Sequence, residues 1–148
     1  MNALSGGAAL QRTLDALASK MDKAREVRVG FLEGKTYPDG TSVPMVAAIQ
    51  EFGSPEQNIP ARPFFRRMIA EKSPEWGQSL GKLLAHGNYD SSQALDAMGM
   101  RISEQLRDSI IGFTDPPLSP KTIAAKGFAT PLIDTGVMLN SIDFEVIE

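Results

Sequence analysis

Leu95, Met98, Ile102, Leu106 and Ile110 recur three or four residues apart, with Arg101, Glu104, Arg107 and Asp108 between them. This spacing gathers five large apolar side chains on one stripe of a helix and leaves the charges on its wet side. Glu104 and Arg107 stand one turn apart, within reach of each other. Asp90 or Ser91 is placed to cap the start, and Gly112 marks the end. Such a stripe needs a cover. Val27, Val29 and Phe31 alternate with Arg28 and Gly30, and Ile142, Phe144 and Val146 alternate with Asp143 and Glu145. Period-two patterns of this kind predict half-buried strands near 27–32 and 141–147. The fold class expected is α+β. A small, mainly antiparallel sheet, with room for one or two more strands in the 30s and 40s, is covered by two or three helices.

A helical arm, residues 1–26, precedes this single domain of residues 27–148. In the arm Leu10, Leu14, Leu17, Met21 and Ala24 follow gaps of four and three, predicting one amphipathic helix over roughly 8–26. It either packs on its own domain or docks on a neighbouring subunit. Beyond the first strand, Pro38-Asp39-Gly40 marks an exposed turn within 34–41. Ser42 can cap a short helix with Pro44 in its first turn, on which Val43, Val46, Ala47 and Gln50 share adjacent turns; Gly53 stops it. Pro55, Pro60 and Pro63 keep the next segment out of regular structure. One helix is expected over 64–72 and a second from Ser73-Pro74, carrying Leu80, Leu83 and Leu84 to Gly87, with His86 near its C-terminus. Asp115-Pro116-Pro117, Ser119-Pro120 and Thr130-Pro131 break residues 113–135 into a long loop with one short helix. Asp134 or Thr135 then caps a last turn through Asn140.

Composition excludes several classes of function. There is no cysteine and one histidine, so disulfides and thiolate metal sites are absent, and a histidine-rich zinc site has too few ligands. No cofactor or metal is expected. The start, residues 1–9, is small and polar without a basic n-region, unlike a signal peptide. No apolar run approaches the roughly 20 residues of a membrane span. Net charge is -3, the reverse of the basic surplus usual in proteins that grip DNA.

The loops carry the most distinctive text. After Val27-Arg28-Val29-Gly30-Phe31-Leu32 and the Tyr37-Pro38-Asp39-Gly40 turn come Val46-Ala47-Ala48, Glu51-Phe52-Gly53 and Ile59-Pro60-Ala61-Arg62-Pro63-Phe64-Phe65. Pro117-Leu118-Ser119-Pro120-Lys121-Thr122, Lys126-Gly127 and Pro131-Leu132-Ile133-Asp134-Thr135-Gly136 follow. In this order, over about residues 25–148, the set resembles the virion-morphogenesis and tail-completion proteins of long-tailed bacteriophages. The resemblance implies a non-enzymatic structural subunit of the virion neck or upper tail, assembled in the bacterial host cytoplasm. It implies a ring, sixfold or twelvefold, that completes the tail and joins it to the head. Other neck and tail proteins would be its neighbours, DNA would pass through the lumen without specific binding, and no membrane would be involved. A tail terminator or a minor tail protein of another layer is the alternative.

The candidate subunit-interface residues are Glu51, Phe52, Pro60, Arg62, Phe64, Phe65, Lys121, Lys126, Leu132 and Asp134. Prolines stiffen the Arg62 loop and lower the entropy lost on docking, and Arg and Phe are enriched at interface cores. Against this, the phenylalanines can start a buried helix and Arg62 can pair with an internal carboxylate such as Glu51; one phenylalanine is expected in that core role. Lys121 and Lys126 can equally be a solvated helix face. Asp143 and Glu145 can face a lumen or plain solvent. Ile133-Asp134-Thr135-Gly136 also matches the aspartic-protease signature, in which two chains would share a proton between carboxylates. The helical character of the chain and the apolar-apolar-Gly placed before the motif, as Ile110-Ile111-Gly112, oppose that reading.

Overall fold

A computed structural model describes residues 6–113 and 136–148. Its elements are α1 (Gly7–Met21), β1 (Glu26–Phe31), α2 (Val43–Phe52), a 3-10 turn (Pro55–Gln57), α3 (Phe64–His86), α4 (Ser91–Gly112), α5 (Val137–Asn140) and β2 (Ile142–Ile147). The architecture is α+β.

β1 and β2 pair antiparallel, from Glu26 opposite Ile147 to Phe31 opposite Ile142. Arg25 N–H extends the ladder to the Ile147 carbonyl at 2.9 Å. Asp143 and Glu145 are exposed on the outer face, and Arg28 lies 3.7 Å from Glu145 across the strands. The inner face lies on α4, which buries Ala94, Met98, Ile102, Leu106 and Ile110. Gly99 is where helix and sheet come closest: a Cβ there would overlap the Phe144 ring. Asp90 caps α4 by accepting from Gln93 N–H at 3.1 Å, and Arg107 pairs with Glu104 at 2.8 Å.

The sequence divides residues 64–86 into two helices, but α3 runs unbroken through Pro74. The reason is tertiary. α3 and α4 form an antiparallel hairpin through the short connection at residues 87–90, and α3 packs on α4 on both sides of the proline. Phe64 and Met68 enter the core before it, and Trp76, Leu80 and Leu83 pack against the core after it. Trp76 Nε1 donates to Gln105 at 2.8 Å, and Ser109 Oγ donates to the Phe64 carbonyl at 2.7 Å. Stopping at Pro74 would uncover that stripe, which outweighs the proline's cost of about 3 kcal/mol.

Among the described residues the sheet has only two strands. The expected additions in the 30s and 40s reduce to one bridge, Thr36 to Ser42, because residues 37–41 close a tight turn. Tyr37 N–H donates to Thr41 O at 2.8 Å, and Asp39 accepts from Thr41 N–H at 2.9 Å. The arm helix is also shorter than its periodicity suggests. It ends at Met21, and Ala24 is buried beyond it, as the chain turns into β1. α5 follows Gly136, its N-cap residue at φ 77°, with no side-chain cap hydrogen bond; Asp134 and Thr135, expected as caps, lie outside the described residues. The long loop expected over 113–135 lies outside the described residues, apart from Phe113, which is buried.

Candidate functional site

Helix α2 is apolar on nearly every side, yet among the described residues one side is buried and the other exposed. Val43, Ala47 and Glu51, four residues apart, are buried, while Met45 and Phe52 on the other side are 58% and 66% exposed. Ser42 caps the helix, its Oγ accepting from Met45 N–H at 3.4 Å.

At its far end the chain must reverse. Gly53 has φ 75°, and a Cβ there would sit 2.7 Å from Ala61 N, so no other residue fits without a shift. The proline-rich loop closes on itself through paired bonds between Ser54 and Ile59, both 2.9 Å, and Arg62 N–H returns to the Gln50 carbonyl at 2.7 Å. The prolines fix φ and the hydrogen bonds fix the ends, so this loop is a built structure.

The loop delivers Pro63 to the N-cap of α3, where a proline has no side chain that can accept. Glu51 performs that task from α2. Its carboxylate, 5% exposed, accepts from Phe65 N–H at 2.9 Å, Arg66 N–H at 3.1 Å and Arg66 Nε at 2.7 Å. Arg66 Nη2 also donates to the Glu51 carbonyl at 3.1 Å. A carboxylate at a helix N-terminus is favoured by the orphan N–H groups and by the dipole. The sequence offered Arg62 as the partner of Glu51; Arg66 holds that place, because it lies one turn into α3 and faces back over the cap. Arg62 is 6% exposed, and burial lowers its guanidinium below the ordinary arginine value.

Phe64 is buried, edge-on to Phe31 at 6.1 Å, and fills the core role expected of one phenylalanine. Phe65 is half-buried beside it, with ring centroids 6.3 Å apart. Between α2 and the start of α3 lies a groove of about 310 Å³ walled by Phe31, Ala47, Ala48, Phe52, Phe65 and Arg66. The Arg66 guanidinium sits 4.9 Å over the Phe52 ring. The structure therefore brings Glu51, Phe52, Phe64 and Phe65 together, with Arg62 buried in the adjoining loop and Pro60 exposed on it. Lys121, Lys126, Leu132 and Asp134 lie outside the described residues.

Sequence reasoning missed Arg66, Met45 and Ala48. A signal for two of them was present: Met45, Ala48 and Phe52 stand three and four residues apart, a second apolar stripe on a helix already carrying Val43 and Ala47.

Among the described residues, the start of α4 ties the end of the arm to the body. Ser91 Oγ accepts from Ala24 N–H at 2.9 Å and donates to the Lys20 carbonyl at 3.2 Å. Lys23 pairs with Asp90 at 2.7 Å, and that hydrogen bond, ahead of the Gln93 N–H, holds the Asp90 carboxyl below its ordinary value. No residue of α1 is buried. The chain matches no family model, no curated protein and no solved structure.

Proposed function

We propose that the protein is a structural subunit of the neck or upper tail of a long-tailed bacteriophage, one copy of a ring that completes the tail and joins it to the head. The observation that carries this reading is the uncovered apolar side of α2, with Phe52 66% exposed above a preformed groove. Contiguous exposed apolar surface rimmed by polar groups is characteristic of protein contact sites. Of the recognisable loop text, Glu51, Phe52, Phe64 and Phe65 line that groove. Glu51 and Arg66 are occupied in holding the two helices together, a scaffold role suited to a subunit whose loops must keep one shape. In a ring, exposed acids such as Asp143 and Glu145 on β2 would repel DNA phosphates and let the duplex slide.

The test is electron microscopy of lysates from a phage carrying this gene and from its deletion. Full heads beside separate tails of normal length are the expected result. Overlong or missing tails would move the protein to termination or an earlier tail layer. Normal infectious particles would overturn the structural reading.

A further inference from the structure

We infer that the α2–α3 groove receives a short acidic segment of another protein of the assembly, with one large apolar side chain in the groove and one carboxylate on Arg66. This occupant specifies the contact site read above, and so rests on that reading. One guanidinium has an unused edge. Arg66 Nε and Nη2 form one hydrogen-bonding fork, which closes on Glu51: Nε donates to the carboxylate at 2.7 Å and Nη2 to the carbonyl at 3.1 Å. The second fork, Nη1 with the outer N–H of Nη2, meets no acceptor among the described residues. The guanidinium also lies 4.9 Å over the Phe52 ring, and the side chain is 58% exposed. The group is thus held on one edge and open on the other. An arginine fork matches a carboxylate through two parallel hydrogen bonds.

Charge and shape together select the occupant. The buried Glu51 carboxylate uses its oxygens on the α3 N-terminus and on Arg66, so the charge that the groove shows to solvent is positive. The walls Phe31, Ala47, Ala48, Phe52 and Phe65 are apolar. A space of about 310 Å³ is at the small end for a ligand site, with room for one or two large side chains. A basic segment is opposed there by like charge, and a purely apolar one leaves the open fork without a partner. An acidic residue beside a large apolar one satisfies both. Among the described residues, the segment alternating in this way is β2, Ile142-Asp143-Phe144-Glu145, and its backbone is committed to the sheet with β1.

One such contact is weak. It buries far less than the roughly 800 Å² per partner of a stable pair, and a short peptide should bind with a Kd in roughly the millimolar range. A ring supplies the strength, because linked copies meet linked partners at a raised effective concentration.

The test titrates the full chain with two blocked peptides, acetyl-Glu-Leu-Phe-Glu-amide and its counterpart with glutamine for both glutamates, followed by backbone-amide NMR. The acidic peptide should shift the amides of Ala48, Phe52, Phe65 and Arg66 saturably, at least about tenfold more tightly than the glutamine peptide, the scale of one charged hydrogen-bonded pair. Arg66→Gln should abolish that preference. Ala48→Phe, which fills the groove from an exposed position and leaves Arg66 in place, should weaken both peptides. Equal affinity of the two peptides overturns the inference. So do saturable shifts confined to other faces, or none at all, as when another part of this chain fills the groove. Shifts of the same amides on concentrating the protein alone would put a second copy there and overturn it as well. Failure here with separated heads and tails in the deletion lysate would leave the neck assignment standing. Selective binding with normal particles in that lysate would remove the neck assignment and leave the groove as a site for acidic peptides.

Discussion

Glu51 shows how one buried side chain fixes the relation of two helices. Its carboxylate supplies the cap that Pro63 cannot, and the cost of losing it falls on three donors at once. Glu51→Ala should lower stability by on the order of 2 kcal/mol, the scale of a strong cap, read as a lower urea midpoint at unchanged slope. Glu51→Gln, which keeps an acceptor oxygen, should lose less. Arg66→Ala should lose least, because the Arg66 side chain is 58% exposed and water replaces its contacts. Asp90 gives a pH signature. Its carboxyl is held below the ordinary aspartate value of 3.8 by Lys23 and by the α4 N-terminus. The folded form thus favours the ionised group. The contribution is complete above the ordinary value and lost as pH falls through the lowered one. Asp90→Asn should therefore flatten the stability curve on its acid limb while leaving the slope above neutrality unchanged, as followed by thermal melts across pH.

Two helical positions make opposite predictions at the scale of the element. A glycine inside a helix ordinarily costs up to about 1 kcal/mol relative to alanine. Gly99 reverses the sign, because a methyl there meets the Phe144 ring. Gly99→Ala should destabilise by about 1–3 kcal/mol, the cost of overpacking, with the loss appearing as a lower melting temperature. Pro74 sits inside α3, where it lacks an N–H for the Ala70 carbonyl. Pro74→Ala should raise stability by about 2 kcal/mol, the helix-interior penalty less the entropy that proline removes from the unfolded chain. A melting temperature unchanged or lowered would mean that the proline shapes α3 to fit α4.

At the scale of the whole molecule, the described residues divide into a packed body and a helix tied to it at one end. No residue of α1 is buried, and Leu17 is its one half-buried position. Removing residues 1–17, which spares the Lys20 carbonyl and Lys23, should therefore change unfolding free energy by less than about 1 kcal/mol, by denaturant titration. A large loss of stability would show that the arm belongs to the body.

How far the sequence reached depends on the range of the interaction. Local rules were sufficient for α4, for both strands, for Ser42 and Asp90 as caps and for the end of α2 at Gly53, since each depends on neighbours within one turn or on period alone. The groove was half legible: Glu51, Phe52 and Phe65 were marked, whereas Arg66 was not, because a capping partner on another helix leaves no spacing to read. The continuity of α3 through Pro74 depends on a stripe packed against α4, and the absence of a further strand in residues 32–42 depends on the turn at Tyr37–Thr41 closing on itself. The arm illustrates the same limit. Periodicity determined that α1 has an apolar face, but only the tertiary structure decided that its own body leaves that face in water, because burial depends on what lies opposite in space and not on what lies nearby in the chain.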